Sequence, residues 1–114
     1  MNIQNYIYGR FVDPVSNEWI DNYNPSVGQV YGQTPNSGKE DVEKAFQAAN
    51  KAFPSWSNTS IDERSRILLK IAQLITEKQS ELAVAESKDN GKPLALATAI
   101  DIPRASANFR FFAN

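Results

Sequence analysis

Residues 60–78 read SIDERSRILLKIAQLITEK, and the periodicity of this stretch decides how the rest of the chain is read. Ser60 and Glu63 are spaced as a capping box, in which the hydroxyl accepts from the Glu63 backbone N–H and the Glu63 carboxylate reaches back. Ile67, Ile71, Leu74 and Ile75, widened by Leu68 and Ala72, recur at the spacing that lines one face of a helix. Arg66, Lys70, Gln73 and Glu77 fall opposite, which predicts an amphipathic helix. Two residues break the pattern: Arg64 falls near the centre of the stripe and Leu69 on the polar side. The helix is therefore expected to touch protein on more than one face. Arg64 has two readings, a snorkelling stem with its head in water or an ion pair with a segment outside these residues. One helix cannot hide an apolar stripe alone, so the flanking segments are read as what covers it.

The chain has 114 residues and a formal net charge of -1. That length suits one unit, able to bury about 65% of its unfolded surface. Two Trp, four Tyr and six Phe supply bulk for a core. The balanced charge gives no electrostatic case for nucleic acid or an anionic membrane surface. Residues 1–5 carry no basic n-region, and no apolar run approaches a membrane span, so a cytoplasmic setting is expected. There is no Cys and no His. The chain thus lacks a thiol nucleophile, the commonest general base and the two best zinc ligands, and no catalytic residue is assigned. Glycines at 9, 28, 32, 38 and 91 form no phosphate-cradling loop.

Outward from the central helix, the N-terminal third reads as antiparallel β. Tyr6, Ile7 and Tyr8 lead into Gly9 and Arg10, with Phe11 and Val12 beyond, which predicts a hairpin with Gly9 first in a type II′ turn. Trp19 to Tyr23 and Gln29 to Gln33 form a second strand pair around the turn residues Asn24 to Gly28. From Asn36 the period changes. Ser37 and Glu40 read as a second capping box, followed by Val42, Ala45, Phe46, Ala49 and Phe53 on one helical face. Pro54 is expected to stop this helix, with Trp56 plugging the joint that follows. After Lys78 a helix runs through Ser80 to Lys88 and ends at Asn90 and Gly91, a left-handed cap. Pro93 opens Leu94 to Ile100. Pro103 is expected to interrupt it, with Asp101 as N-cap of a last helix that places Ala105, Phe109 and Phe112 on one face. Three phenylalanines in the final six residues, with no cap after them, are expected to mark a cut polypeptide.

Several runs, in order, carry a resemblance that spans the chain. Asn24 to Gly28 with Val30, the Glu63-Arg64 pair, E-S-K-D-N-G-K-P at 86–93, and D-I-P-R-A-S-A-N-F-R-F-F-A at 101–113 resemble the opening of an NAD(P)-dependent aldehyde dehydrogenase. P-N-S-G-K at 35–39 and A-F-P-S-W-S at 52–57 are most similar to the branch acting on 2-aminomuconic and 2-hydroxymuconic semialdehydes. The resemblance implies an α/β fold: residues 1–114 as an incomplete N-terminal part of the coenzyme-binding domain, with a β-hairpin layer at 1–35 and a helical part at 36–114. It implies an enzyme in which a cysteine attacks an aldehyde, hydride passes to NAD (NADP being the alternative), and a glutamate-activated water releases the acid. Those residues fall after position 114 in the family. The chain alone is expected to be inactive and to bind no coenzyme, with a small semialdehyde as the partner of the complete homodimer or homotetramer.

Two site expectations come with the resemblance. Arg104 of D-I-P-R corresponds to a substrate-carboxylate contact; the alternative is a surface pair or packing on a neighbouring helix. Some family members hold sodium or potassium at positions matching Asn22, Tyr23 and Asp101; the alternative is that Asp101 only caps its helix. A second function class stays open, a non-catalytic binding or assembly module derived from the same fold segment. The reading frame downstream of Asn114 discriminates the two.

Overall fold

A computed structural model describes residues 2–114. It contains four strands, β1 (Asn5–Ile7), β2 (Arg10–Val12), β3 (Trp19–Asn24) and β4 (Gln29–Pro35). Helices follow: α1 (Lys39–Ser57), α2 (Ile61–Glu77), α3 (Gln79–Asn90), the single turn α4 (Leu94–Leu96), a π-helical turn (Ala97–Asp101) and α5 (Ile102–Ala113). The α/β expectation of hairpins followed by packed helices holds. By contact the chain divides into two compact units, residues 2–23 with 28–58, and residues 24–27 with 59–114.

In the first unit, β1 and β2 pair antiparallel with Asn5 opposite Val12, Tyr6 opposite Phe11 and Ile7 opposite Arg10. That register leaves Tyr8 and Gly9 as the loop, at φ 56° and 75°. The turn is therefore of type I′, with both central residues at positive φ, and not the predicted Gly9-Arg10 type II′ turn. The type I′ twist matches the strands, and this offsets the roughly 1–2 kcal/mol that a left-handed tyrosine costs. Asp41 joins the β layer to α1. It is 3% exposed; one oxygen accepts from the Gly38 N–H and the other from the Val15 N–H, both at 2.9 Å. These two bonds, Gly38 first and Val15 second, hold its carboxyl below the usual value of 3.8. The predicted Ser37-Glu40 box is thus displaced by one residue. Ser37 turns away to Asn5, and Gly38 is the cap position with Asp41 as its third-residue partner.

Pro54 does not stop α1, which runs to Ser57. Proline removes one N–H, the donor for the Asn50 carbonyl four residues before it, and the helix ends within a turn, where its last carbonyls find side-chain donors. Ser57 Oγ and Asn58 Nδ2 donate to the Pro54 carbonyl at 3.1 and 2.9 Å. Trp56 consequently lies within the helix, half exposed, rather than in a connection. The predicted apolar face of α1 forms but stays open, with Val42, Phe46 and Phe53 all more than half exposed.

In the second unit, Ser60 caps α2 as predicted, accepting from the Glu63 N–H at 3.2 Å. The reciprocal half of the box is diverted, because the Glu63 carboxylate pairs with Arg66 one turn on. Arg64 is half-buried. α2 packs along α5 and α3 against the π turn, around Ala72, Ala83 and Ala97, each fully buried. Small side chains at these positions let the helix backbones approach closely. Gly91 ends α3 in the left-handed conformation, φ 77°, as predicted. No helix among the described residues is long and apolar enough to cross a membrane.

Candidate functional site

The predicted site residues of the second unit lie on the segment after Gly91, and the local sequence explains its form. Pro93 (φ -54°, ψ 130°) cannot continue α3 and starts α4. Helical backbone then persists through Leu96, Ala97, Asp101 and Ile102, so Pro103 does not interrupt the run. The Ile102 N–H donates to the Ala97 carbonyl, five residues back, instead of to Thr98. This wider turn accommodates the proline ring, which in a regular helix would clash with the carbonyl four residues before it. Two consequences follow. Asp101 has helical angles and caps nothing, which corrects the N-cap expectation. The extra residue also rotates everything beyond it, so the side chains of α5 that pack inward are Ser106 and Ala113, with Phe112 left exposed, and not the predicted Ala105, Phe109 and Phe112.

The turn is tied at two points. The Thr98 carbonyl loses its usual donor to the displaced Ile102 N–H, and Pro103 has no N–H to replace it. Gln79 Nε2 donates to that carbonyl at 2.8 Å. Asp101 Oδ2, which is buried, has Lys92 Nζ at 2.7 Å with no hydrogen bond aligned to it. Lys92 is also 3.9 Å from Glu86 Oε1, and the backbone that presents it is pinned where Ser87 Oγ donates to the Lys92 carbonyl and the Lys92 N–H donates to Asn90 Oδ1. The run at 86–93 is thus the scaffold of an ion pair. Sequence spacing could not find Lys92 or Gln79 as partners, because the Gly91–Pro93 bend and the interhelical contact bring them in.

Arg104 is exposed and makes no ion pair or hydrogen bond to another side chain among the described residues. It follows Asp101 by three residues in unbroken helical backbone, so the free N–H groups of a new helix do not support it. Its availability to an anion rests on its own exposed guanidinium, which can grip a carboxylate with two parallel bonds.

Asn22 and Tyr23 lie in β3, in the first unit. Asn22 Nδ2 donates to Tyr31 Oη at 2.9 Å across to β4, and Tyr23 is 55% exposed. Among the described residues no group of three or more acidic, His or Cys side chains could hold a metal ion. The two sheets among the described residues are two-stranded. A groove of about 710 Å³ in the first unit, flanked by Ile7, Val12, Val15 and Lys51, contains none of the four predicted site residues.

A sequence profile of the aldehyde dehydrogenase family matches residues 11–114. The chain is 54% identical over 112 residues to the 2-aminomuconic semialdehyde dehydrogenase of Homo sapiens, covering 98% of this chain and 23% of that protein. Among solved structures it resembles PnpE in complex with nicotinamide adenine dinucleotide (TM-score 0.97, 42% identity, 99% of this chain and 23% of that one). It also resembles the NAD+ complex of an aldehyde dehydrogenase from Bacillus cereus (TM-score 0.95, 35% identity, 99% and 23%). The chain spans about a quarter of the length of each.

Proposed function

The chain belongs to the aldehyde dehydrogenase family, and we propose that it forms the N-terminal part of the coenzyme-binding domain of an enzyme oxidising a muconic-type semialdehyde to the carboxylic acid, with NAD+ as coenzyme and NADP+ as the alternative. The observation that carries this is the 54% identity, over nearly the whole chain, to a relative named for 2-aminomuconic semialdehyde. The coenzyme accepts hydride from the aldehyde carbon when bound. The 114 residues contain no cysteine, so the nucleophile comes from outside them, and their own contribution is scaffold and substrate orientation. Arg104 is assigned to the substrate carboxylate remote from the aldehyde, where a guanidinium fixes the distance from reacting carbon to anchor. The assembly is proposed as a cytoplasmic homodimer or homotetramer.

The test is direct. Full-length protein is supplied with NAD+ and a 2-aminomuconic or 2-hydroxymuconic semialdehyde, and NADH formation is followed together with the acid product. Turnover of these substrates above simple short-chain aldehydes is expected; absence of coenzyme reduction with either class, whether NAD+ or NADP+ is supplied, sinks the proposal.

A monovalent cation held by Asp101 is a separable part of the proposal. Asp101 Oδ2 is a buried oxygen without a hydrogen bond, which suits a hard cation, and the Lys92 ammonium at 2.7 Å competes for the same charge. Exchange of sodium and potassium for choline decides it: lost activity supports the site, and unchanged activity removes it.

A further inference from the structure

We infer that Gln79 is a positioning residue for Arg104: by holding the Thr98 carbonyl it keeps the π turn at Ala97–Asp101 open, and that turn sets the direction in which the guanidinium points. This rests on the assignment of Arg104 to the substrate carboxylate.

The geometry carries the argument. In an unbroken α-helix a residue seven positions on lies on the same face, so Arg104 would continue the side on which Ala97 is fully buried. Ser106, nine positions on, would face the opposite way. The structure has the reverse, with Ser106 buried at 6% exposure and Arg104 exposed. One additional residue in the turn accounts for this, since it rotates all that follows by about 100°. The bond from the Ile102 N–H to the Ala97 carbonyl is that additional residue.

Such a turn needs support. It leaves the Thr98 carbonyl without a main-chain donor, and an unmet carbonyl inside a helix contact is costly. Gln79 Nε2, at 2.8 Å, is the donor that meets it. Gln79 is the first residue of α3 and Thr98 lies 19 residues later, so the bond ties the π turn to a separate helix. The Lys92 ammonium, 2.7 Å from Asp101 at the far end of the turn, is the second tie. Both act on the backbone three to six residues before Arg104.

The experiment uses the full-length enzyme with two substrates of similar length, a semialdehyde bearing the remote carboxylate and a neutral aldehyde. Gln79→Met keeps the bulk and removes the donor; Gln79→Lys keeps a donor. Gln79→Met is expected to raise KM for the carboxylate-bearing substrate about tenfold, as an ångström-scale displacement of an anchor does, with KM for the neutral aldehyde and both kcat values near those of the parent. Gln79→Lys is expected to restore most of the loss. Adding Pro103→Ala to Gln79→Met supplies a main-chain N–H for the freed carbonyl and is expected to recover KM in part. A fall in kcat equal for both substrates, or a KM change with no preference for the carboxylate, overturns the inference. Arg104→Ala separates the layers. Selective loss there with no selective loss at Gln79 rejects the positioning role alone, and no selectivity at Arg104 rejects the substrate assignment and the inference with it. If Gln79→Met fails to fold, Gln79→Glu, which keeps the shape and replaces the donor by an acceptor, is compared with the parent on the same two substrates, and an unchanged KM ratio overturns the inference.

Discussion

The Ser106 hydroxyl donates to the Ala72 carbonyl oxygen at 2.8 Å, joining α5 to α2 across 34 residues of sequence. Thr76 Oγ1 is 2.9 Å from the same hydroxyl and 3.1 Å from the same carbonyl, so the three groups close a small polar cluster inside the helix contact. Ser106→Ala leaves the Ala72 carbonyl its main-chain bond and is expected to cost about 1 kcal/mol. Ser106→Leu forces the two helices apart and is expected to cost roughly 1–3 kcal/mol or more. Urea midpoints of the two variants check the order; a leucine variant as stable as the alanine variant contradicts the close packing.

Arg104→Ala in the full-length enzyme is expected to cost roughly 2–5 kcal/mol in transition-state binding of the carboxylate-bearing semialdehyde. The loss belongs in kcat/KM for that substrate and is nearly absent for a neutral aldehyde. Equal losses on both make Arg104 structural.

Gly91 sits at φ 77°, and a Cβ built on it would lie 2.8 Å from Pro25 Cγ. The left-handed conformation alone costs an alanine roughly 1–2 kcal/mol, and the proline ring adds a contact that the hairpin tip must relieve. Gly91→Ala is expected to lose about 2 kcal/mol, read as a shifted denaturation midpoint. Pairing it with Pro25→Ala relieves the contact but not the backbone strain, so partial recovery is expected.

Asp41 gives a pH signature. Its carboxyl is held below 3.8 by the Gly38 and Val15 N–H groups. The contribution to stability is therefore fully present above the unfolded value and is lost as pH falls below about 3.8 through the folded one. Stability of the parent relative to Asp41→Asn should be constant near neutrality and converge in acid. A difference that instead grows as pH falls has the wrong sign for this role.

Lys92→Met leaves Asp101 Oδ2 buried without its ionic partner and is expected to destabilise by roughly 1–3 kcal/mol. Adding Asp101→Asn removes the stranded charge, so the double variant should be more stable than Lys92→Met alone. A purely additive cycle rules the pair out as a coupled unit.

Much of this protein was legible without coordinates, and the legible parts are local. Ser60 capping α2, Gly91 closing α3 and the two strand pairs follow from side-chain chemistry acting over three or four neighbours, and the order of motifs from Asn24 to D-I-P-R identified the family. Tertiary structure decided the rest. Whether Gly9 sat first or second in its turn depended on which cross-strand register was adopted, with Tyr8 made to follow. The cap of α1 moved to Gly38 because the Val15 N–H, from another element, shared the Asp41 carboxylate. Pro103 looked like a break because its missing N–H is a local fact, while the donor that compensates, Gln79, comes from a different helix. The face of α5 then turned by one residue, exposing Arg104 and burying Ser106. A periodicity argument assumes 3.6 residues per turn throughout, and only a contact from elsewhere in the chain could show where that count changes.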